Sequence, residues 1–198
     1  GFDVDNFRPD AARRQTIRQK LGLRAECVVG TVGRWHPLKD YENFAESARL
    51  IRERRPDIVF LAVGQGITRD NAELMALLGK HGLTNCVKLL GERRDIPKIM
   101  AAMDIFVLAS RSEAFPLVVG EAMACGLPVV ATRVGDVQQL VADLGHVVPA
   151  KNPLALAEAV LDATWRYTPF YKDRGTGQLR SRSLLTHVSY AVRGAETS

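Results

Sequence analysis

Residues 27–64 read "CVVGTVGRWHPLKDYENFAESARLIRERRPDIVFLAVG", and the way this stretch folds decides the architecture. It opens on a run, 27–33, that is apolar throughout instead of alternating. Strands covered on both faces of a parallel sheet have that character. A helical segment follows over 43–55, then a second apolar run over 58–64. Strand, helix and strand in this order predict parallel strands joined by a right-handed crossover.

The alternation continues in both content and order. Residues 86–91, 104–110, 128–132 and 145–149 read as further strands, and 70–82, 96–103, 116–126, 136–143 and 152–165 as helices. Asp70, Asp95 and Asn152 stand where they would cap helices; Gly82 and Gly126 stand where helices would end. The expected fold is α/β: a Rossmann-like open parallel sheet of about six strands with helices on both faces.

Composition narrows the function classes. A chain of 198 residues with 46% hydrophobic and 25% charged residues can build a domain-sized core and is not disordered. No apolar run is long enough to span a membrane and no signal peptide opens the sequence. The chain begins at Gly1 with a turn-like "GFDVDNFRPD", as expected of a piece of something longer. Of the net charge of +5, six cations against two anions leave +4 in residues 166–198 and +1 in residues 1–165. The basic excess lies outside the folded body, so no nucleic-acid partner is expected. Cys27, Cys86 and Cys125 are odd in number and widely spaced, which argues against a disulfide framework or a zinc site. They read as buried, reduced thiols of a cytosolic protein.

Ligands of open parallel sheets bind at the carboxyl ends of strands, which directs attention to two loops. In "GRWHPLKD" (33–40), Gly33 permits a sharp exit from the strand, and Arg34 and Lys39 follow as two cations flanking Pro37. A planar fork and a point charge together suit a diphosphate. A polar loop in which Lys39 and Asp40 simply start the next helix fits the same residues. In "SEAFPLVVGEAMACGLPVVAT" (112–132), Pro116 sits near the first turn of a helix. That puts Glu113 in the loop and Glu121 on the helix, not on one helical face. Free amides at Leu117, Val118 and Val119 would favour a phosphate, and ionised glutamates accept paired hydroxyls. A sugar joined to a phosphate is the natural ligand. Taken singly, Glu113 would be a solvated carboxylate and Glu121 a salt-bridged one.

These elements, in this order, resemble the donor-binding half of the retaining GT-B glycosyltransferases of group 1. Gly33, Arg34 and Lys39 match the family's Gly-Arg…Lys element, Glu113 and Glu121 its E-x7-E signature, and "GFDVDNFRPD" its entry turn; the match covers about residues 1–167. The resemblance implies that Arg34, Lys39 and Glu113 form the catalytic set. The two cations would stabilise the departing nucleoside diphosphate and Glu113 would hold the transferred sugar. Gly33, Phe115, Pro116, Leu117, Val118 and Glu121 would bind the donor, Glu121 through the ribose. The loop "GERRD" (91–95) corresponds to the region bordering the nucleobase, with Arg94 its candidate beside Arg93. No metal site and no obligatory cofactor are implied, with a UDP-, GDP- or ADP-sugar as substrate. Asp3-Val4-Asp5 spells a D-x-D but lies in the entry turn, where this family has similar sequence.

Further expectations follow from the resemblance. Residues 1–167 would be the donor-binding domain and 168–198 a basic tail with some helix in it. The N-terminal acceptor domain would be a missing partner, so the chain alone would transfer little or nothing. The setting would be cytoplasmic, with the full-length enzyme working at the inner face of a membrane. Four positions depart from the pattern: Ala114 and Asp136 stand where glycine is commoner, and Gln138–Gln139 where Pro-Glu is frequent. The competing functions are a non-catalytic nucleotide-sugar-binding module and a GT-B epimerase. A dinucleotide-binding dehydrogenase is disfavoured, because neither "GTVGRW" nor "VGQGIT" spells G-x-G-x-x-G.

Overall fold

The computed structural model describes residues 3, 5–24, 26–142, 144–167, 170–172 and 179–181. Six strands form one parallel sheet: β1 (Val28–Val32), β2 (Val59–Val63), β3 (Val87–Leu89), β4 (Ile105–Leu108), β5 (Val129–Thr132) and β6 (Gly145–Val148). Their spatial order is β3-β2-β1-β4-β5-β6. The order reverses between β1 and β4, and the crevice above such a switch point is where doubly wound sheets bind ligands. All six lie within the apolar runs predicted from sequence, and they form the Rossmann-like sheet expected.

Helices cover both faces. α2 (Tyr41–Arg54), α3 (Ala72–Lys80) and α7 (Pro153–Tyr167) lie on one; α1 (Ala11–Lys20), α4 (Ile96–Ala102), α5 (Leu117–Ala124) and α6 (Val137–Val141) lie on the other. Successive strand residues feed opposite cores because side chains alternate along a strand. Val29 and Phe60 pack with Phe44, Ile51, Leu74 and Val160; Val28 and Leu61 pack with Ile17, Ile99, Val119 and Val137. Gly30 is required by this second layer. A Cβ there would lie 2.1 Å from Met103 Sδ, inside any contact distance.

Three sequence expectations need correction. Asn71, not Asp70, caps α3, its side chain accepting from the Leu74 amide at 3.1 Å. Asp95 is the residue before α4, but Arg93 holds its carboxylate at 2.8 and 2.9 Å, so it makes no cap. Cys86 is half-buried, whereas Cys27 and Cys125 are buried; all three are free thiols. Asn152 does cap α7, accepting from the Ala155 amide at 3.0 Å. Gly82 and Gly126 have φ of 67° and 74°, the left-handed conformation with which helices end.

Helix α1 was not among the segments read from sequence. Its "AARRQTIRQK" buries one apolar side chain, Ile17, together with Arg18. What docks it is ionic. Asp104, at the foot of β4, accepts Arg14 at 2.6 Å, Arg18 at 3.3 Å and the Val28 amide at 2.8 Å. In the tail, Phe170–Lys172 and Leu179–Ser181 pair as antiparallel strands β7 and β8. The helix expected within 168–198 falls on 182–198, outside the described residues.

Candidate functional site

The loops after β1 and β4 meet at the switch point. After β1, Gly33 donates to Val63 O at 2.8 Å and accepts from the Tyr41 hydroxyl at 2.6 Å. Gly64, at the end of β2, lets this exit pass: a Cβ on it would lie 2.1 Å from Gly33 O, and its φ is 150°. Pro37–Lys39 then forms a single 3-10 turn. The His36 ring, through Nδ1, accepts from the Leu38 amide at 3.2 Å. The turn aims Lys39 back across the mouth of β1.

Lys39 Nζ donates to Glu113 Oε1 at 2.6 Å, across 74 residues of sequence. The Ser110 hydroxyl donates to the same oxygen, also at 2.6 Å. Glu113 Oε2 has no partner among the described bonds and stays available as an acceptor. Gly135 (φ 47°) backs this loop, its Cα so close that a Cβ would lie 2.3 Å from Glu113 O. Arg34 is exposed and makes no hydrogen bond or ion pair among the described residues. Its guanidinium is a charge without an internal task beside one that is already held.

Glu121 lies one turn into α5 and contrasts with Glu113. It is half-buried and has no hydrogen-bonding or ionic partner among the described residues. Burial alone pushes its carboxyl up from the ordinary 4.5. The burdens expected from sequence are thus exchanged: Glu113 carries the ion pair and Glu121 is unpaired. A raised carboxyl pKa means the fold prefers the protonated form of Glu121, so this group's contribution to stability is fully present below pH 4.5 and is lost as pH rises through its folded value. Glu121→Gln is therefore expected to raise the thermal midpoint at about pH 7 and to leave it unchanged near pH 3, where both states are protonated. Melting curves at the two pH values check this.

The start of α5 differs from expectation. Leu117 donates to Phe115 O at 3.0 Å and Val119 to Pro116 O at 2.9 Å. Of the three amides expected to face a phosphate, only that of Val118 has no backbone acceptor, because the chain tightens into the helix through these short turns. Pro116 is buried and anchors the turn, whereas Phe115 (49% exposed) and Leu117 (53%) stand out at the rim. Arg94 is exposed on the loop after β3, two strands from β1, and makes no contact with the Lys39–Glu113 pair. Asp3 is engaged in a turn, its carboxylate accepting from Asn6 N at 3.2 Å and Nδ2 at 2.7 Å. Sequence reasoning gave Ser110, Gly64 and Gly135 no role in the site. Their sole signals were a hydroxyl at a strand end and glycines at strand and loop boundaries.

Comparison with known proteins bears on the family and the fold. The family model described as "Glycosyl transferases group 1" matches residues 26–164. A D-inositol 3-phosphate glycosyltransferase of Corynebacterium urealyticum is 33% identical over 172 residues, covering 81% of this chain and 40% of its own length. Anabaena HepE, solved in complex with UDP and glucose, superposes with a TM-score of 0.74 at 31% identity; 83% of this chain and 45% of that one are covered. The C-terminal domain of the group 1 protein LpcC of Francisella tularensis was solved by itself. It matches with a TM-score of 0.70 at 27% identity over 84% of this chain and 88% of that one. The chain thus spans about two-fifths of the length of the D-inositol 3-phosphate glycosyltransferase it matches.

Proposed function

The chain belongs to the group 1 glycosyltransferases and folds as one half of a GT-B enzyme; from that premise we propose that it binds the nucleotide-sugar donor. The observation that carries this is the Lys39–Glu113 bond, which ties the loop after β1, with Arg34 on it, to the loop after β4 that leads into α5 and Glu121; Arg34 and Glu121 have no partner among the described residues. Two cations there offset a diphosphate's charge without a metal. Glu113 keeps Oε2 for sugar hydroxyls while Oε1 is occupied, and Glu121 offers both oxygens to a ribose. HepE, the relative solved with UDP and glucose, supports a donor of that class.

In the proposed reaction a hexosyl group passes from the nucleotide-sugar to an acceptor hydroxyl with retention. The bond from the anomeric carbon to the diphosphate oxygen breaks, the bond to the acceptor oxygen forms on the same face, and the leaving phosphate takes the acceptor's proton. Glu113 is tied to Lys39 and Ser110, so it positions and does not attack. Transfer requires acceptor-side groups from the remaining length of the family's proteins, so this chain binds donor and transfers little by itself. Nucleotide-sugars are charged and do not cross membranes unaided, so the working compartment is the cytoplasm, with lipid-borne acceptors reached at a membrane face.

Thermal denaturation with UDP-, GDP- and ADP-sugars tests the proposal. A donor present at about one hundred times its dissociation constant should add about 2.7 kcal/mol of stability. If none of the three raises the midpoint, the donor role is wrong.

A further inference from the structure

Asp40 is 4% exposed and takes φ 50° and ψ 56°, a left-handed conformation unfavourable for most residues other than glycine. Its N–H donates to Pro37 O at 3.3 Å and its carbonyl accepts from the Phe44 amide at 3.1 Å, and two further bonds reach its side chain. Its Oδ1 accepts from the Asn43 amide at 3.3 Å, capping α2, and from Arg111 at 2.7 Å. Arg111 also donates its backbone N–H to Leu38 O at 2.9 Å. Lys39 therefore lies between two residues that Arg111 grips, one by main chain and one by side chain. On the opposite loop, Ser110 and Glu113 flank Arg111 and receive or support the Lys39 ammonium. The two loops interlock around one lysine.

We propose that Asp40 and Arg111 form a positioning pair that sets Lys39 for the diphosphate. The inference rests on the donor-binding role given above. Removing the pair lets residues 38–40 relax, so the ammonium loses its fixed place beside Glu113 while the sheet and helices stay intact. Arg111 is exposed but Asp40 is buried, so Arg111→Ala leaves a buried carboxylate unpaired and also costs stability, whereas Asp40→Asn leaves only an exposed guanidinium and isolates the effect on binding.

Charge makes the test decisive. If Arg111 and Asp40 acted only through their fields, removing the Asp40 anion would strengthen binding of an anionic ligand. Positioning predicts the reverse. Asp40→Asn keeps a side chain that tolerates left-handed backbone and can still cap α2. Calorimetric titration uses whichever of UDP, GDP or ADP the unaltered chain binds best, with the matching nucleoside as control. Asp40→Asn and Arg111→Ala are each expected to weaken the diphosphate about tenfold and to leave the nucleoside unchanged. The double variant should be no worse than either single one, as for residues acting through one contact. Unchanged or tighter diphosphate binding by Asp40→Asn overturns the inference, as does a parallel loss of nucleoside binding. If the unaltered chain binds none of the three diphosphates, the donor role fails first and is seen to fail in that arm.

Discussion

An Arg34→Ala, Lys39→Ala double variant is expected to bind nucleoside diphosphates at least about a hundredfold more weakly than the unaltered chain, since hydrogen bonds to charged groups contribute roughly 1.5–3 kcal/mol each. The two residues do not contribute alike. Arg34 has no partner among the described residues, so its removal subtracts a ligand and no bond described within the chain. Lys39 is bound to Glu113 Oε1, so its removal also leaves a half-buried carboxylate facing the incoming phosphates. Lys39→Ala should therefore cost more than Arg34→Ala. Part of the excess should return when Glu113→Ala is added, which calorimetry on the three variants can resolve. Binding by the double variant within about threefold of the unaltered chain is too small a loss for two charge-assisted contacts, and would remove the diphosphate clamp from the account.

The second large effect is on stability. Asp104→Ala is expected to destabilise the fold by about 3 kcal/mol, since removing one partner of a buried ion pair leaves the other charge uncompensated. Asp104 gathers Arg14, Arg18 and the Val28 amide, and Arg18 is buried. Arg18 keeps its bond to Ala102 O at 2.9 Å, which limits the loss but cannot neutralise the charge. For a domain of this size the midpoint should fall by roughly 6–12 °C. Urea unfolding measures the same quantity with the slope as a control for two-state behaviour. A fall within about 0.5 kcal/mol, the range of ordinary surface substitutions, would mean that α1 is held by its apolar contact at Ile17 instead.

The sheet was legible because burial on both faces leaves a one-dimensional record: continuous apolar runs, each ended by glycine or a polar loop. α1 was not, because "AARRQTIRQK" docks through arginines onto an aspartate some 90 positions away, and no local period encodes that. The motif residues Arg34, Lys39, Glu113 and Glu121 could be singled out from spacing and residue type. Their partnerships could not. Which glutamate carries the ion pair depends on the 3-10 turn at Pro37–Lys39 and on Ser110, both settled by tertiary packing. The amides of Leu117 and Val119 looked free because a helix start ordinarily leaves its first donors unpaired. Here short turns at Phe115 and Pro116 consume them, a matter of local backbone angles that sequence does not display.

The central claim, that the switch point between β1 and β4 holds a nucleotide-sugar, is tested most directly by solving the chain with its preferred donor bound. The account predicts diphosphate oxygens within about 3 Å of the Arg34 guanidinium and the Lys39 ammonium. It also predicts the ribose hydroxyls on Glu121 and the sugar against Glu113 Oε2. A donor lodged elsewhere, for instance in the cationic groove between α1 and α4 lined by Arg13, Lys20, Arg93 and Lys98, would contradict it.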